Sequence, residues 1–544
     1  MPITEVNATQ TLAEVEILDS APDRQATQVL AEVEIRAPTL EDLSLLPDGE
    51  PTAIIEMDWP RNGTWTEETS NALLGVSYSY GIISPGGSLS QLGEGPVAQM
   101  TVRMDNSDGR FSLDRTGSQA QVNGIYQTPI RFSPGYYDEG GTPYRECIWT
   151  GRVQDVDEDE ASAIATLTCY GLDYDIQQQR PATLTQPDHR TDELIADVAT
   201  EIAFTGTALD RGYTVVPLHY CDADDGLAEM REIAEAEGGI VWVNPMTGNL
   251  EFWAWAKWIG AASEATYSRG PTAGIGPLEN VRPRHDYKQA FDVVNVTYQP
   301  RRTGRLMNLH QLGTPIVIAP LGTHTATIRM RYPIAEYDSY ECVATTSGGV
   351  SLAGSLTVSN ADDSTPWVPE GAVSSRVKFA NASANHGMVI RKFDVLGRPI
   401  EGLPNREYKA DKNYLVVHRR TDVKPNEVKA RYCLQHEAQA ALVAELKAYR
   451  LQDPPVLLTV GPLPGNPELN VGSAITVNIA AGISQINKLV ILLHRQGSYA
   501  LRYEETWLAV PQDELYQYAT VSTGTTAGAF KVGTSRLSYG RIQY

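Results

Sequence analysis

A chain of 544 residues is too long for one hydrophobic core, and about three or four domains are expected. Its 67 acidic and 44 basic residues give a net charge of −23, which argues against wrapping nucleic acid, because phosphate binding needs clustered Lys and Arg. Hydrophobic residues make up 42% of the chain and mean hydropathy is −0.27, an ordinary globular balance with no apolar run long enough for a membrane-spanning helix.

The opening stretch, MPITEVNATQ, has neither the basic nor the apolar region of a secretory signal, so export is expected only by lysis or within a particle. Residues 1–50 read as an arm with an internal repeat: Ala8–Ile17 (ATQTLAEVEI) recurs as Ala26–Ile35 (ATQVLAEVEI). Each copy alternates apolar and polar residues and is a candidate strand; Val15, Ile17, Val33 and Ile35 would form its sticky face. Two such strands are marginal alone, so they are expected to add to a sheet edge, in this chain or a neighbour. A flexible acidic arm is the other reading.

Residues 51–180 are strand-rich, with Gly and Pro turns, and predict a first β domain, a barrel or a sandwich rather than a βαβ fold. Met100, Val102 and Met104 alternate with Gln99, Thr101 and Arg103, and Asp105–Gly109 (DNSDG) then supplies an Asx-rich turn. A strand from Trp149, an acidic turn at Asp155–Glu160 and a strand with Ala165, Leu167 and Cys169 on one face follow.

Residues 181–284 change to an α/β pattern. Thr191–Phe204 predicts a helix capped by Thr191, with Leu194, Ile195, Val198 and Ile202 as its apolar stripe; a second helix, Gly226–Glu237, stops at Gly238-Gly239. A hairpin follows, Ile240–Trp255, dense in aromatics. Trp242, Trp253, Trp255 and Trp258 fit a core, a subunit interface or a ligand platform, and are candidate interface residues.

Val293–Tyr298 opens a second barrel, assigned to residues 285–313 and 411–511, which the strands from Pro455 onwards would complete. An inserted β domain occupies 314–410. Lys424–Arg450 predicts the longest helix, with Val428, Tyr432, Leu442, Leu446 and Tyr449 facing a core. Residues 512–544 taper into a Ser/Thr/Gly/Tyr-rich tail expected to order against a partner.

Chemistry is hard to find. The five cysteines (Cys147, Cys169, Cys221, Cys342, Cys433) are scattered and read as free thiols of a reducing cytoplasm. The nine histidines form no H-x-x-x-H pair, and the acidic turns at Asp105–Gly109 and Asp222–Gly226 lack the ligand spacing of a calcium loop. No Walker loop, nucleophile elbow or dinucleotide motif is present. Neither a cofactor nor a metal nor a catalytic residue is expected, and the chain reads as a non-enzyme.

Two segments carry a resemblance. Val97–Ser112 (VAQMTVRMDNSDGRFS) followed by Cys147–Tyr174 resembles the first β domain of bacteriophage tail-tip, or baseplate, hub proteins. The order helix, helix and a "G-G-x-V-x-V-N-x-x-x-G-x-L-x-F" hairpin over Gly238–Phe252 is similar to the same family. The resemblance implies a mainly β, multi-domain fold with α+β elements: two tube-like β-barrels, a small α/β domain and, here, an inserted β domain. It also implies a structural virion protein, a homotrimer whose six barrels join the hexameric tail tube to a trimeric tip and form part of the DNA channel. Expected partners are the tail tube or distal tail protein, the tape measure protein and tail fibre or tip proteins, with genomic DNA only in transit. The expected location is the virion tail tip, after assembly in the host cytoplasm. Flexible-tailed phages, contractile tails and gene-transfer particles share this pattern. The competing reading is a multi-domain β protein that binds or hydrolyses surface polysaccharide on the tryptophan cluster.

Overall fold

The period-2 alternation of the first region folds as the pattern requires. The strand Gln99–Asp105 buries Met100, Val102 and Met104 and leaves Gln99 and Arg103 exposed, and its neighbour Ile164–Gly171 buries Ala165, Leu167 and Cys169 opposite them. The Asx turn between these features closes on its own side chains: Asp105 accepts from Ser107 N at 2.8 Å, Asp108 from Arg110 N at 2.9 Å and Asn106 from Phe111 N at 2.9 Å. Gly109 takes φ +66°, a conformation glycine adopts without strain. The turn delivers Phe111 into the core beside Trp59.

The computed structural model describes residues 50–515 except 70–72, 139, 269–275, 279, 286–290, 292, 363–364, 412–424, 430–432, 453–455, 480–485 and 501. The repeats at 8–17 and 26–35, with Val15, Ile17, Val33 and Ile35, lie outside the described residues, as does the tail at 520–544.

One large sheet dominates. Its first half is β1 (Pro51–Met57), β2 (Leu73–Gly81), β3 (Gln99–Asp105), β4 (Pro129–Tyr137), β5 (Trp149–Asp159) and β6 (Ile164–Gly171), in the spatial order β2-β3-β6-β5-β4-β1. Its second half comes from β7 (Ala265–Ser268), β8 (Val281–His285), β9 (Val456–Pro464), β10 (Ala474–Ile479), β11 (Ile486–Tyr499) and β12 (Tyr503–Pro511). The halves meet in β11. Along one edge its first residues, Ile486–Ile491, pair with β10, and its last, His494–Tyr499, pair with Val76–Gly81 of β2. Along the other edge it pairs with β12. The protein is mainly β, as expected, but among the described residues the sheet is open, branches at β11 and closes into no barrel. The continuation of β11 from one half into the other is the physical reason: each half lends it an edge.

The α/β region packs α1 (Thr191–Glu201) and α2 (Gly226–Glu235) on the hairpin Ile240–Val243/Leu250–Trp253. Leu194, Ile195 and Val198 are buried, as the stripe predicts. Thr191 is not the cap. Arg190 holds that position, with Glu193 accepting from its backbone N at 2.8 Å, while the Thr191 hydroxyl is buried and donates to Glu237 at 2.5 Å.

Two further expectations fail. Val293–Tyr298 does not join the later strands; it pairs antiparallel with Arg406–Asp411 and parallel with Pro425–Lys429. The long helix accordingly starts not at Lys424 but at Glu437, and runs as α3 to Gln452. Pairing gives Pro425–Lys429 partners that helix would deny it, and Gln439 sets the helix start by accepting from the backbone N of Gln435 and His436 at 3.1 and 3.2 Å. Its buried side is Ala440, Val443, Ala444 and Ala448, small residues that let the helix sit close on the three-stranded sheet; Leu442, Leu446 and Tyr449 are only half-buried.

The inserted region has its own core, around Trp367, Phe379 and Phe393, drawn only from residues 309–395. Its central strand, Met388–Gly402, pairs with Ile334–Thr345 on one side and with three short strands between Arg301 and Ile318 on the other.

Candidate functional site

The strongest concentration of buried polar chemistry lies where the sheet halves meet. β11 and β12 turn Arg495 and Glu505 inward, and neither side chain has any exposed surface. Glu505 Oε1 accepts from Arg495 Nη2, from the Tyr78 hydroxyl and, at 2.8 Å, from the Tyr503 hydroxyl; Oε2 accepts from Trp507 Nε1 at 2.7 Å. Arg495 also donates to the carbonyls of Leu469 and, at 2.8 Å, Asn466. The bond between Tyr78 and Glu505 passes over Gly497, the residue between them in the cross-strand row; a Cβ there would strike the phenol. One ion pair thus ties β2 of the first half to β11 and β12 of the second.

Burial pushes the Tyr78 and Tyr503 phenols far up, and the neighbouring Glu505 carboxylate pushes them further, so both stay protonated and donate. For Arg495 burial pulls the other way, but Glu505 and the surrounding phenols outweigh it and hold the guanidinium charged. Breaking such a pair leaves an unpaired charge in a dry interior, so its removal is far costlier than its net worth.

Two titratable groups flank this junction. His494, 2% exposed, is lowered to about 4 by burial. Its Nδ1 lies 3.0 Å from the Ile83 carbonyl, which can only accept, so Nε2 accepts from the Ser79 hydroxyl at 3.0 Å. Asp173 is raised to about 7 by burial, against the pull of the Ala98 amide, which it accepts at 2.8 Å, and of Arg231.

The tryptophans take the first of their three readings. Trp242, Trp253 and Trp258 are only 4–5% exposed and pack ring on ring in the core shared with the large sheet, Trp242 tilted against Trp253 at 5.1 Å between centroids and Trp253 edge to face with Trp258 at 5.5 Å. Trp253 lies on Gly472, and Trp258 donates to the Gly472 carbonyl at 3.0 Å, so the cluster welds the hairpin to the sheet. Trp255 alone is half-buried, against Tyr213. Three of the four rings are therefore closed to a ligand or a partner, and a sugar platform on them is corrected: hairpin alternation left the facing undecided, and packing decided it.

All five cysteines are free thiols. Among the described residues no three His, Cys, Asp or Glu side chains converge as a metal site would require, and both acidic turns are Asx turns or caps: Asp225 caps α2, accepting from Ala228 N at 2.9 Å. Arg495 and Glu505 were the residues to find in the sequence. Glu505 carries a signal, a charge at an inward position between Tyr503 and Trp507, whereas Arg495 ends an unbroken buried run from Val490 and carries none.

No family model matches the chain, and no curated protein matches it. Solved structures do. The tail protein from Neisseria meningitidis MC58 is 9% identical, with 86% of this chain and 98% of that one covered at a TM-score of 0.46. The 43 kDa tail protein of prophage MuSo2 from Shewanella oneidensis is 8% identical, over 85% and 99%, at 0.45. Prophage tail protein gp18 from Listeria monocytogenes EGD-e is 10% identical, over 84% and 94%, at 0.41. All three are described as tail proteins, and the chain is similar also to a type VI secretion component of E. coli, c3393, at 10% identity over 82% of this chain and 75% of that one and a TM-score of 0.33.

Proposed function

We propose that the chain is a structural subunit of a phage-type tail: a hub at the tail tip that joins the hexameric tube to a trimeric tip, encloses part of the DNA channel and catalyses no reaction. One observation carries this. The two strand sets, 51–171 and 456–511, are fused through β11 into one sheet and locked by a fully buried ion pair. A chain with two fixed β lobes can offer two equivalent positions to a ring, so three chains match six tube subunits; the sequence resemblance implies the same arrangement. The buried carboxylate, guanidinium and phenols are engaged in holding strands together. The tube or distal tail protein, the tape measure protein and fibre or tip proteins are the proposed neighbours, in the virion, with subunits meeting through large interfaces.

Light scattering on the purified chain tests this, with negative-stain class averages. A ring of mass near three times 59.5 kDa is expected. A monomer that stays monomeric when mixed with a hexameric tube protein would overturn it.

A further inference from the structure

The inserted β domain does not hang free. Ala372 N donates to the Thr183 carbonyl at 3.0 Å and the Thr185 hydroxyl donates to the Ile334 carbonyl, fixing the insert against the segment that leads into α1. Beside this contact lies a cleft of about 310 Å³, with Tyr220, Asp222 and Glu229 on the α/β wall and Arg329, Arg331 and Tyr332 on the insert wall. Its volume is at the low end for ligand pockets, and such pockets favour boundaries between domains.

The lining is built. Glu229 is 10% exposed and held at 3.1 Å by His219, itself 1% exposed, so a carboxylate is kept at the cleft floor at a desolvation cost. On the opposite wall Met330 N donates to the Val373 carbonyl and Arg331 N to the Leu309 carbonyl, both at 2.8 Å. The buried Met330 anchors this backbone, so Arg329 and Arg331 point outward on either side of it, and Tyr332 is left 50% exposed.

We propose that this cleft binds a sugar unit of an uncharged surface glycan. Two guanidiniums and two carboxylates fit a pair of neighbouring hydroxyls, the first donating in a fork and the second accepting. A phenol face suits the apolar C–H side of a sugar ring. The four charges cancel and the whole chain carries a net charge of −23, both of which disfavour a polyanion such as nucleic acid or a phosphate polymer. The assignment is independent of the hub proposal: a monomer would hold the cleft as well as a ring.

Saturation-transfer NMR on the full chain tests it, with free glucose, galactose, N-acetylglucosamine and rhamnose and with dextran oligomers as probes. At least one should show transfer, and Arg331→Ala and Tyr332→Ala should each weaken its binding by about tenfold, roughly the worth of one lost ring or fork contact. Tyr126→Ala, an equally exposed tyrosine far from the cleft in sequence and outside its lining, should change nothing. Circular dichroism checks that each variant is folded. No transfer from any probe to the native chain, transfer that survives both substitutions, or transfer lost equally in Tyr126→Ala would overturn the proposal.

Discussion

Glu505 serves five donors, the Asn466 amide at 3.4 Å among them, from a position with no exposed surface, which makes its substitution informative. Glu505→Gln strands the Arg495 charge and is expected to cost about 3–5 kcal/mol in denaturant unfolding. The double variant Glu505→Leu/Arg495→Met should lose clearly less than the sum of its singles, because no charge is left unpaired. His494 and Asp173 predict opposite pH dependences. The folded-state value of His494 is depressed, so its contribution is full above about 6.5 and is lost as pH falls toward about 4. That of Asp173 is raised, so its contribution is full below 3.8 and is lost as pH rises to about 7. Each slope is about 1.4 kcal/mol per pH unit, and the two oppose each other between pH 4 and 6.5. Asp173→Asn should therefore be more stable than the native chain at pH 8, with the advantage shrinking steadily toward pH 4 in parallel denaturation curves.

At the scale of elements, β11 depends on Gly497 for the approach of Tyr78 to Glu505. Gly497→Ala should displace that phenol, lower the melting temperature and open the junction first, seen as faster hydrogen exchange in β2 and β12 than in β5 and β6. What the sequence disclosed at this scale follows from range. The alternation of β3 and β6, the DNSDG turn, the apolar face of α1 and the existence of α2 are set by neighbours a few residues apart, and all were legible. Pro425–Lys429 has a helical pattern locally, yet folds as a strand because Val293–Tyr298, more than a hundred residues earlier, offers it a partner. The order of the large sheet was hidden for the same reason, as was the cleft, whose walls come from segments around 220–229 and 329–333. Inward-facing Glu505 was visible as an anomaly, but not its partners.

For the molecule as a whole, the insert enters and leaves through strands in register, Arg301 opposite Gly402, and keeps a core of its own. Replacing residues 304–399 by a short glycine turn should leave the large sheet folded and any ring-forming ability intact. Calorimetry should show the loss of one unfolding transition, and sugar binding should vanish with it. If excision also unfolds the sheet, the insert is part of one cooperative unit with it.

The position of β11 in the sheet also fixes when the protein can finish folding. Tyr78 and Tyr503, whose hydroxyls lie 3.2 Å apart, are separated by 425 residues. During synthesis the edge of β2 therefore stays unpaired until nearly the whole chain has left the ribosome, roughly 20–80 s at 5–20 residues per second. Throughout that interval the first half presents an open edge to any strand nearby, and the last strands to emerge are the ones that cover it. A chain truncated before residue 486 would keep that edge exposed, so only full-length copies would be free of a self-adhesive flank.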